Sequence, residues 1–485
     1  MSDTIRRVMH NSVLRLAGYA VGAALHFGII VLIGRYLGTT AFGHFSFILA
    51  LVGIFQLLTD MGVRTVLIRD IAVDKENFAR RLGVAQTLLW LLASLSMASI
   101  VLLAHLLTLT DELRQATYLA GVAVIMTFYG LSYSAVLRAF EEMEWDILGF
   151  VLHKVIFLGF LWLILSTDWG LRGVFGAMVA ANSCQYLYYW GLVRLRYGRA
   201  RLNIDLRAGW ALLVESIPLG IAEVVRRLTW QVDKLLLAAF GTPVAVGLFS
   251  AAFKFLEAIS PFTINLTLPL FPVFARLARV SSEKLFGAYE RSLKFLYVMG
   301  VAIGVILFVL SDRIVILCFG AAYQEASQVL RILAPVAVLL LPTSVYGYIF
   351  TALGRQRLYM GCAAVALLTN IGLDLLLIPF YGYIGAAVGT LVAEAVFFLS
   401  GLVILHQLGS TLAGISLIWR PCLAALALGS CCWLAKEMML EGVLLCLVGG
   451  TAAYAGVLLL LQTFTRQEIA MIMEAIHLRL GGATR

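Results

Sequence analysis

Long apolar stretches alternate with short polar segments along almost the whole chain. Most of these stretches approach the ~20 residues that an α-helix needs to cross a ~30 Å hydrocarbon core. When they are divided at Gly, Pro and charged residues, they predict about fourteen spanning helices. Their approximate bounds are 12–34, 42–60, 82–106, 115–137, 147–167, 171–193, 209–240, 245–272, 287–309, 327–352, 358–379, 383–405, 413–435 and 441–464. The pattern therefore predicts an all-α polytopic membrane protein with short loops.

Composition agrees with a chain that lies mostly in lipid. Of its 485 residues, 62% are hydrophobic and 13% are charged, whereas soluble domains average about 45–50% and about 25%. The net charge of +9 does not indicate a nucleic-acid partner, because the basic residues are scattered among short loops. The seven cysteines lack the spacing of a metal site. We expect no metal and no cofactor, although the vicinal pair Cys431–Cys432 also fits a redox role.

Basic residues are concentrated in every second loop. One alternating set of loops, together with the termini, is assigned 26 of the 36 Lys and Arg residues, including Arg138 and Lys154. Because cytoplasmic loops retain such an excess, both termini are predicted to be cytoplasmic. The first apolar stretch has no small-residue cleavage site and is expected to remain as a transmembrane helix.

Two short motifs occur twice in the chain, in the same order. Gly43–Ser46 matches Gly247–Ser250 with an offset of 204 residues, and Trp169–Gly173 matches Tyr381–Gly385 with an offset of 212 residues. Transporter folds often contain such repeats. The predicted organisation is two six-helix lobes related by an axis along the membrane normal, followed by two more helices. The bounds are 1–193 for the first lobe, 194–208 for a cytoplasmic linker, 209–405 for the second lobe and 406–485 for helices 13 and 14 with the tail.

Several motifs resemble the oligosaccharide/polysaccharide flippase family of the multidrug/oligosaccharidyl-lipid/polysaccharide exporter superfamily. The matching segments are Gly34–Gly38, Phe42–Ser46, Thr59–Gly62, Ile68–Asp70, Val232–Leu237 and Val246–Ala252. The resemblance implies a two-lobed, alternating-access transporter in the bacterial inner membrane. Its cargo would be a saccharide on an undecaprenyl-type pyrophosphate carrier, and its partners would be membrane lipids, with a polysaccharide polymerase and a chain-length regulator as further candidates.

Ionisable residues inside the predicted spans are the candidate site, because such groups are costly in lipid and usually face an aqueous cavity. On the seventh helix, Glu223, Arg227, Trp230 and Lys234 share one face. Arg226, Arg227 and Lys254 lie near mid-depth and are suited to replace the hydration of a pyrophosphate. The alternative is that Glu223–Arg227 and Lys254–Glu257 are ordinary helix pairs.

Other polar residues extend this candidate cavity. His26, Asn182, Asn370 and Glu394 also fall near mid-depth, and the 212-residue offset makes Asn182 equivalent to Glu394. Arg15, Lys234 and Arg331 lie nearer helix ends, where snorkelling to headgroups is an alternative role. The candidates for coupling or charge balance are Glu223, Asp233, Glu257, Asp374, Glu394 and His26.

Three other functions remain open. A lipid II flippase needs the same basic cavity, whereas a multidrug cation exporter calls for an acidic one, which Arg226, Arg227 and Lys254 disfavour. A membrane-embedded polymerase or ligase is expected to carry a large outer loop, and the predicted outward loops are short. No GxxxxGK[ST] loop is present, so the predicted transport is secondary and not driven by nucleotide hydrolysis, and no enzymatic activity is expected.

Overall fold

The computed structural model describes residues 3–199, 203–411, 419–435, 438 and 440–464, without the side chains of 3–17, 19, 57, 218–219, 221–227 and 440–446. These parts of the chain are helical and contain no strand. The helices are α1 Asp3–Asp60, α2 Val63–Val73, α3 Phe78–Leu106, α4 Asp111–Ala139, α5 Met143–Leu165, α6 Gly170–Tyr197, α7 Leu206–Phe240, α8 Pro243–Thr267, α9 Leu270–Val280, α10 Ser282–Val309, α11 Ser311–Phe319, α12 Ala326–Thr343, α13 Tyr346–Ala352, α14 Gln356–Tyr381, α15 Tyr383–Gln407, α16 Trp419–Ala435 and α17 Leu440–Leu460. The predicted all-α class is confirmed.

Each predicted span has a counterpart among these helices. The first two spans both lie within α1, whose helical conformation is interrupted at Gly38, where φ is 71° and ψ is 175°. Positive φ of this kind favours glycine. The span predicted at 327–352 is divided into α12 and α13. Pro335 and Pro342 each remove a backbone donor from α12, which ends one residue after the second proline.

Length and composition alone support fewer crossings than the sequence pattern. Within the described ranges, nine helical stretches are long and apolar enough to cross a membrane, and the run through α1 and α2 counts as one of them. α6 and α7 are not among the nine. Both carry several polar residues along their length, including Asn182 and Gln185 on α6. The apolar helices of the last part are shorter, at Trp419–Ala435 and Leu447–Leu460.

Three short helices, α2, α9 and α11, were not predicted from the sequence. α9 buries Phe274 on one side and exposes Arg276 and Arg279 on the other, as expected for a helix lying at an apolar–polar boundary. α2 begins at residue 63 and α9 at residue 270, an offset of 207 residues. This offset lies between the two offsets of the sequence motifs, as the predicted repeat requires.

The chain packs into two compact units. Unit 1 comprises Met1–Lys254 and Ile378–Tyr383, and unit 2 comprises Phe255–Leu377 and Ile384–Arg485. α7 therefore packs with the N-terminal helices. At one contact, a methyl group added at Gly220 would lie 2.8 Å from the backbone of Met61. The lobe boundaries given by the repeat remain a prediction.

In unit 1, α1 and α8 cross closely at glycines of the repeated motif. A methyl group at Gly43 would lie 1.8 Å from Pro243 O, and one at Gly247 would lie 2.1 Å from Thr39 O. Thr39 and Pro243 are separated by the same 204 residues as Gly43 and Gly247. The two segments thus exchange equivalent contacts, as the two sides of an isologous interface do.

Alanine at either crossing glycine is expected to destabilise the protein. Gly43→Ala and Gly247→Ala each place a methyl group against backbone that cannot rotate away, and such overpacking costs ~1–3 kcal/mol. The measurement is thermal unfolding of the purified protein in detergent. Gly28→Ala on α1 is the control, because a methyl group there meets nothing within 4 Å and alanine favours the helix. Equal melting temperatures for the three variants would contradict the close crossing.

Candidate functional site

Lys234 lies inside unit 1 on α7, with 3% of its surface exposed. Its Nζ donates to Gln231 Oε1 at 3.3 Å and lies 4.8 Å from the centre of the Phe253 ring on α8. A cation over an aromatic face is stabilised by the ring quadrupole. Lys234 is therefore turned toward α8, and snorkelling to headgroups does not describe its position.

Aromatic side chains form the surroundings of Lys234. Trp230, half-buried on α7, meets Phe253 edge-on with ring centres 5.6 Å apart. Phe253 also stacks on Phe249 at 5.5 Å. Trp230 was predicted to share a helix face with Lys234, and the shared neighbour Phe253 shows that both side chains point toward α8.

The remaining α7 and α8 candidates divide into described and undescribed side chains. Asp233 is buried, and Lys254 and Glu257 are half-buried. The backbone of α7 is helical at Glu223, Arg226 and Arg227. Their side chains and that of Arg15 lie outside the described residues, so their roles remain a prediction.

Asn182 connects three helices of unit 1. Its Nδ2 donates to Ala123 O on α4 at 2.8 Å, and its Oδ1 lies 2.6 Å from His153 Nε2 on α5. Because the amide nitrogen serves Ala123, the amide oxygen accepts from His153, and Nε2 carries the proton. The sequence analysis placed Asn182 near mid-depth but did not identify His153 as its partner.

Lys154 lies in the middle of α5, not in a loop. It follows Met143, the first residue of the helix, by eleven positions, or about 16 Å at 1.5 Å per residue. The sequence analysis counted it with Arg138 as a loop residue. That assignment was wrong for Lys154, because α5 begins well before it and continues to Leu165. His26, which was predicted at mid-depth, is exposed on α1.

Unit 2 contains a buried polar pair on α14. Asn370 is 2% exposed and Asp374 is 0% exposed, and they are one helical turn apart. A methyl group at Gly389 on α15 would lie 2.3 Å from Asp374 Oδ1 and 3.5 Å from Asn370 Nδ2. The absence of a side chain at Gly389 thus leaves room for the carboxylate. Thr390, the next residue, donates to Ala386 O at 3.0 Å.

Glu394 and Arg331 each have a polar partner within unit 2. Thr343 Oγ1 donates to Glu394 Oε1 at 2.8 Å. Arg331 Nε donates to Ser311 Oγ at 2.9 Å, and its Nη2 pairs with Asp312. These contacts tie Arg331 on α12 to α11. A role for Arg331 in binding cargo remains a prediction.

The motif residues Arg69 and Asp70 belong to an ion network at the end of α2. Arg69 contacts Asp70 at 2.6 Å and Glu215 of α7 at 2.7 Å. Arg81 of α3 contacts Asp70 at 3.2 Å. Single exposed pairs contribute little, but this network connects three helices through adjacent charges. Part of the sequence motif thus has a structural role.

Two loop carboxylates near this network have lowered pKa values. A hydrogen bond from the Asn77 side chain, followed by one from Arg81, lowers the pKa of Asp74. The backbone amide of Ala208 donates to Asp205 Oδ1 at 3.0 Å and lowers the pKa of Asp205. These two carboxylates therefore stabilise the folded protein fully above the ordinary Asp pKa of ~3.9. Their contribution is lost as the pH falls through the lowered pKa of the folded state.

A family model described as "Polysaccharide biosynthesis protein" matches residues 8–278, more than half of the chain. The chain belongs to this family. A probable low-salt glycan biosynthesis flippase, Agl15 of Haloferax volcanii, is 23% identical over 386 residues, which cover 77% of this chain and 78% of Agl15.

Solved transporter structures resemble this polysaccharide biosynthesis protein over most of its length. The lipid II flippase MurJ in an inward closed conformation gives a TM-score of 0.75 at 15% identity, covering 94% of this chain and 99% of MurJ. An inward-facing MATE family multidrug resistance transporter of the MOP superfamily gives a TM-score of 0.65 at 17% identity, covering 82% and 99%. The family protein is therefore a multi-pass membrane protein with the MOP-superfamily fold, and the resemblance in its motifs is confirmed.

Substitution of Asn182 should destabilise unit 1. Asn182→Ala leaves a buried His153 and the Ala123 carbonyl without the contacts described above, and such losses cost ~1–3 kcal/mol. Thermal unfolding of the purified protein is the measurement.

Ser183→Ala is the matched control, because Ser183 Oγ donates to Val179 O of its own helix at 2.8 Å. The control is expected to change stability by less than ~0.5 kcal/mol. If Asn182→Ala is as stable as Ser183→Ala, Asn182 does not hold the three helices together.

Proposed function

We propose that this family protein is an alternating-access flippase that moves an undecaprenyl-pyrophosphate-linked oligosaccharide from the cytoplasmic to the periplasmic leaflet of the bacterial inner membrane. The observation that carries the proposal is the group of cations on α7 and α8 within a MOP-superfamily fold. Lys234 is buried there against Phe253, and Lys254 is half-buried. The oligosaccharide is an O-antigen, capsule or exopolysaccharide unit.

The chemistry of the cargo accounts for basic residues inside apolar helices. A pyrophosphate loses its hydration when it crosses the membrane, and guanidinium or ammonium groups can replace that hydration with charge-assisted hydrogen bonds. The sequence adds Arg226 and Arg227 to the helix that carries Lys234. The names of two similar proteins agree with this cargo class, since Agl15 is a probable glycan biosynthesis flippase and MurJ is a lipid II flippase.

An apolar groove in unit 2 suits the lipid part of the cargo. The groove has a volume of about 870 Å³ between α10, α12 and α16, and residues such as Val301, Phe308 and Leu426 line it. An isoprenoid chain offers apolar surface to cover such a groove. We assign the isoprenoid chain of the carrier lipid to this groove.

The buried pair on α14 suits a coupling cation. A carboxylate within the membrane must be protonated or neutralised by a cation. Asp374 is fully buried one turn from Asn370, and the missing side chain at Gly389 leaves its carboxylate room. We assign the coupling proton or sodium ion to Asp374, with Glu394 as the second candidate.

A lipid II flippase is the second candidate function, because MurJ covers 94% of the chain with a TM-score of 0.75. Its cargo also carries a polyprenyl pyrophosphate, so the two functions share the cationic site and differ in the saccharide. A polymerase and a chain-length regulator are further proposed partners if the cargo is a polymer unit. Competition between the two lipid-linked saccharides in one flipping assay decides between these cargoes.

Loss of a cation on α7 or α8 should weaken cargo binding. Arg227→Gln or Lys254→Gln removes a charge-assisted contact worth ~1.5–3 kcal/mol, or at least about tenfold in affinity. Arg227→Lys should also impair binding, because a point charge does not reproduce a bidentate fork. The measurement is binding and flipping of a fluorescent undecaprenyl-pyrophosphate oligosaccharide in proteoliposomes.

The double variant Glu223→Gln/Arg227→Gln separates cargo binding from helix pairing. A purely structural pair predicts that stability and transport recover together. The proposed function predicts recovered stability with transport still lost. Full recovery of transport would therefore overturn the assignment of Arg227.

Asp374→Asn should uncouple transport from the driving ion. The variant is expected to bind cargo like the wild type but to lose its dependence on a proton or sodium gradient, because an amide is not protonated at neutral pH and lacks the negative charge that holds a sodium ion. Gradient dependence is measured in proteoliposomes. Asp168→Asn is the control, since Asp168 is exposed between α5 and α6. Unchanged gradient dependence in both Asp374→Asn and Glu394→Gln would remove both residues from coupling.

A further inference from the structure

Lys154 is a cation halfway along an apolar helix. α5, Met143–Leu165, is one of the stretches that are apolar enough to span a membrane, and Lys154 lies near its centre. An ionisable side chain at such a depth is costly unless it faces polar groups or water. The position therefore needs an explanation that the proposed α7 and α8 site does not provide.

Lys154 lies on a different side of α5 from the exposed apolar residues of this helix. Leu148, Val155 and Gly159 are exposed, and at 100° per residue they lie about 100–140° around the helix from Lys154. Lys154 instead shares a face with Ile147 and Phe150. Lys154 thus lies on a different side of α5 from these exposed residues.

The face that carries Lys154 packs against α1. A methyl group at Gly18 would lie 2.2 Å from Ile147 Cγ2, and one at Gly22 would lie 2.1 Å from Phe150 Cε1. Residue numbers rise together along both helices, so α1 and α5 run parallel here. One turn beyond Gly22 and Phe150, the register brings His26 and Lys154 to the same depth.

His26 lies on a different side of α1 from its exposed small and apolar residues. Val21, Ala24 and Gly28 are exposed, and Ala24 and Gly28 lie about 160° around the helix from His26. His26 is exposed as well. His26 therefore lies on the opposite side of α1 from Ala24 and Gly28, on the flank where Gly22 meets α5.

Lys154 has no acidic partner among the described residues. Its Nζ lies 5.5 Å from the centre of the Phe150 ring, and no described carboxylate lies within 4.0 Å of it. Arg138 on α4 differs, because it pairs with Asp146 at 2.9 Å. Arg138 thus has the carboxylate partner expected of a basic residue that ties helices together, and Lys154 does not have one among the described residues. The described surroundings of Lys154 therefore supply an aromatic ring and no carboxylate.

We infer that Lys154 and His26 form an oxyanion-binding position in unit 1 that takes a phosphate or carboxylate group of the lipid-linked cargo. The inference rests on the proposed function and adds a contact from α1 and α5 to the α7 and α8 site. An ammonium on a flexible stem suits this role, because it can approach an oxyanion as a point charge. The adjacent His153 is held by Asn182, whereas Lys154 and His26 lie at the same depth on α5 and α1.

The test measures the binding of defined lipids to the purified full chain in detergent by microscale thermophoresis. The probes are undecaprenyl pyrophosphate with a neutral disaccharide, the same lipid with a hexuronic acid in the disaccharide, and uncharged undecaprenol. Lys154→Gln is expected to weaken binding of a charged probe by about tenfold, while Lys154→Arg stays within about threefold of the wild type. Undecaprenol binding should not change.

Lys75→Gln is the matched control, because Lys75 also lies over a phenyl ring, at 5.4 Å from the centre of Phe140, but in a loop. If Lys154→Gln weakens both charged probes equally, the ligand is the pyrophosphate; if it weakens only the uronic-acid probe, the ligand is the sugar carboxylate. Wild-type binding of the charged probes by Lys154→Gln overturns the inference and leaves the proposed function intact.

Failure of the wild-type protein to bind either charged probe overturns the proposed function together with this inference. If Lys154→Gln does not fold, the rate of acetylation of Lys154 in the wild-type protein is measured in place of binding by the variant. The neutral-sugar or uronic-acid probe should then slow acetylation of Lys154 but not of Lys75. Equal acetylation rates with and without the probes would overturn the inference.

Discussion

A hydrocarbon interior offers no hydrogen bonds, so the protein must satisfy every polar group that it places in the membrane. The helices meet this constraint for the backbone. For side chains it is met pair by pair: Asn182 uses its amide nitrogen for Ala123 and its oxygen for His153, and Glu394 accepts from Thr343. Asn182 and Glu394 are equivalent by the 212-residue offset, yet their partners are chemically different. The repeat therefore preserves the position of a polar group more faithfully than the bond that satisfies it.

Close packing imposes the second constraint on the sequence. At the crossing of α1 and α8, the two segments exchange contacts in which Gly43 meets Pro243 and Gly247 meets Thr39. Any side chain there would enter the neighbouring backbone. The motif that shows the repeat in the sequence is thus also the place where the two copies touch. Because this contact lies within unit 1, a helix from the second repeat is packed with the first, and the lobes of the repeat differ from the units of packing.

The sequence predicted a helix at each span, and nine of the described stretches are also long and apolar enough to cross a membrane, although α6 and α7 are not. It did not predict α2 and α9, since eleven-residue helices with basic residues resemble loops when only apolar length is considered. Lys154 was counted as loop charge, although the predicted span 147–167 already contained it and α5 includes it. Partners such as His153 for Asn182 depend on which helices are neighbours, and one sequence does not contain that information.

Charge alone does not distinguish a binding residue from a structural one. Arg331 and Lys154 both interrupt apolar helices, and both are half-buried. Arg331 is bonded to Ser311 and Asp312 of α11, so its charge is balanced within the fold, whereas the described contact of Lys154 is an aromatic ring. A transporter that releases its cargo needs cations of the second kind, because a guanidinium already neutralised by a carboxylate gains little from a phosphate. In this protein the neighbour of each basic residue, more than its depth in the membrane, therefore decides which role it can take.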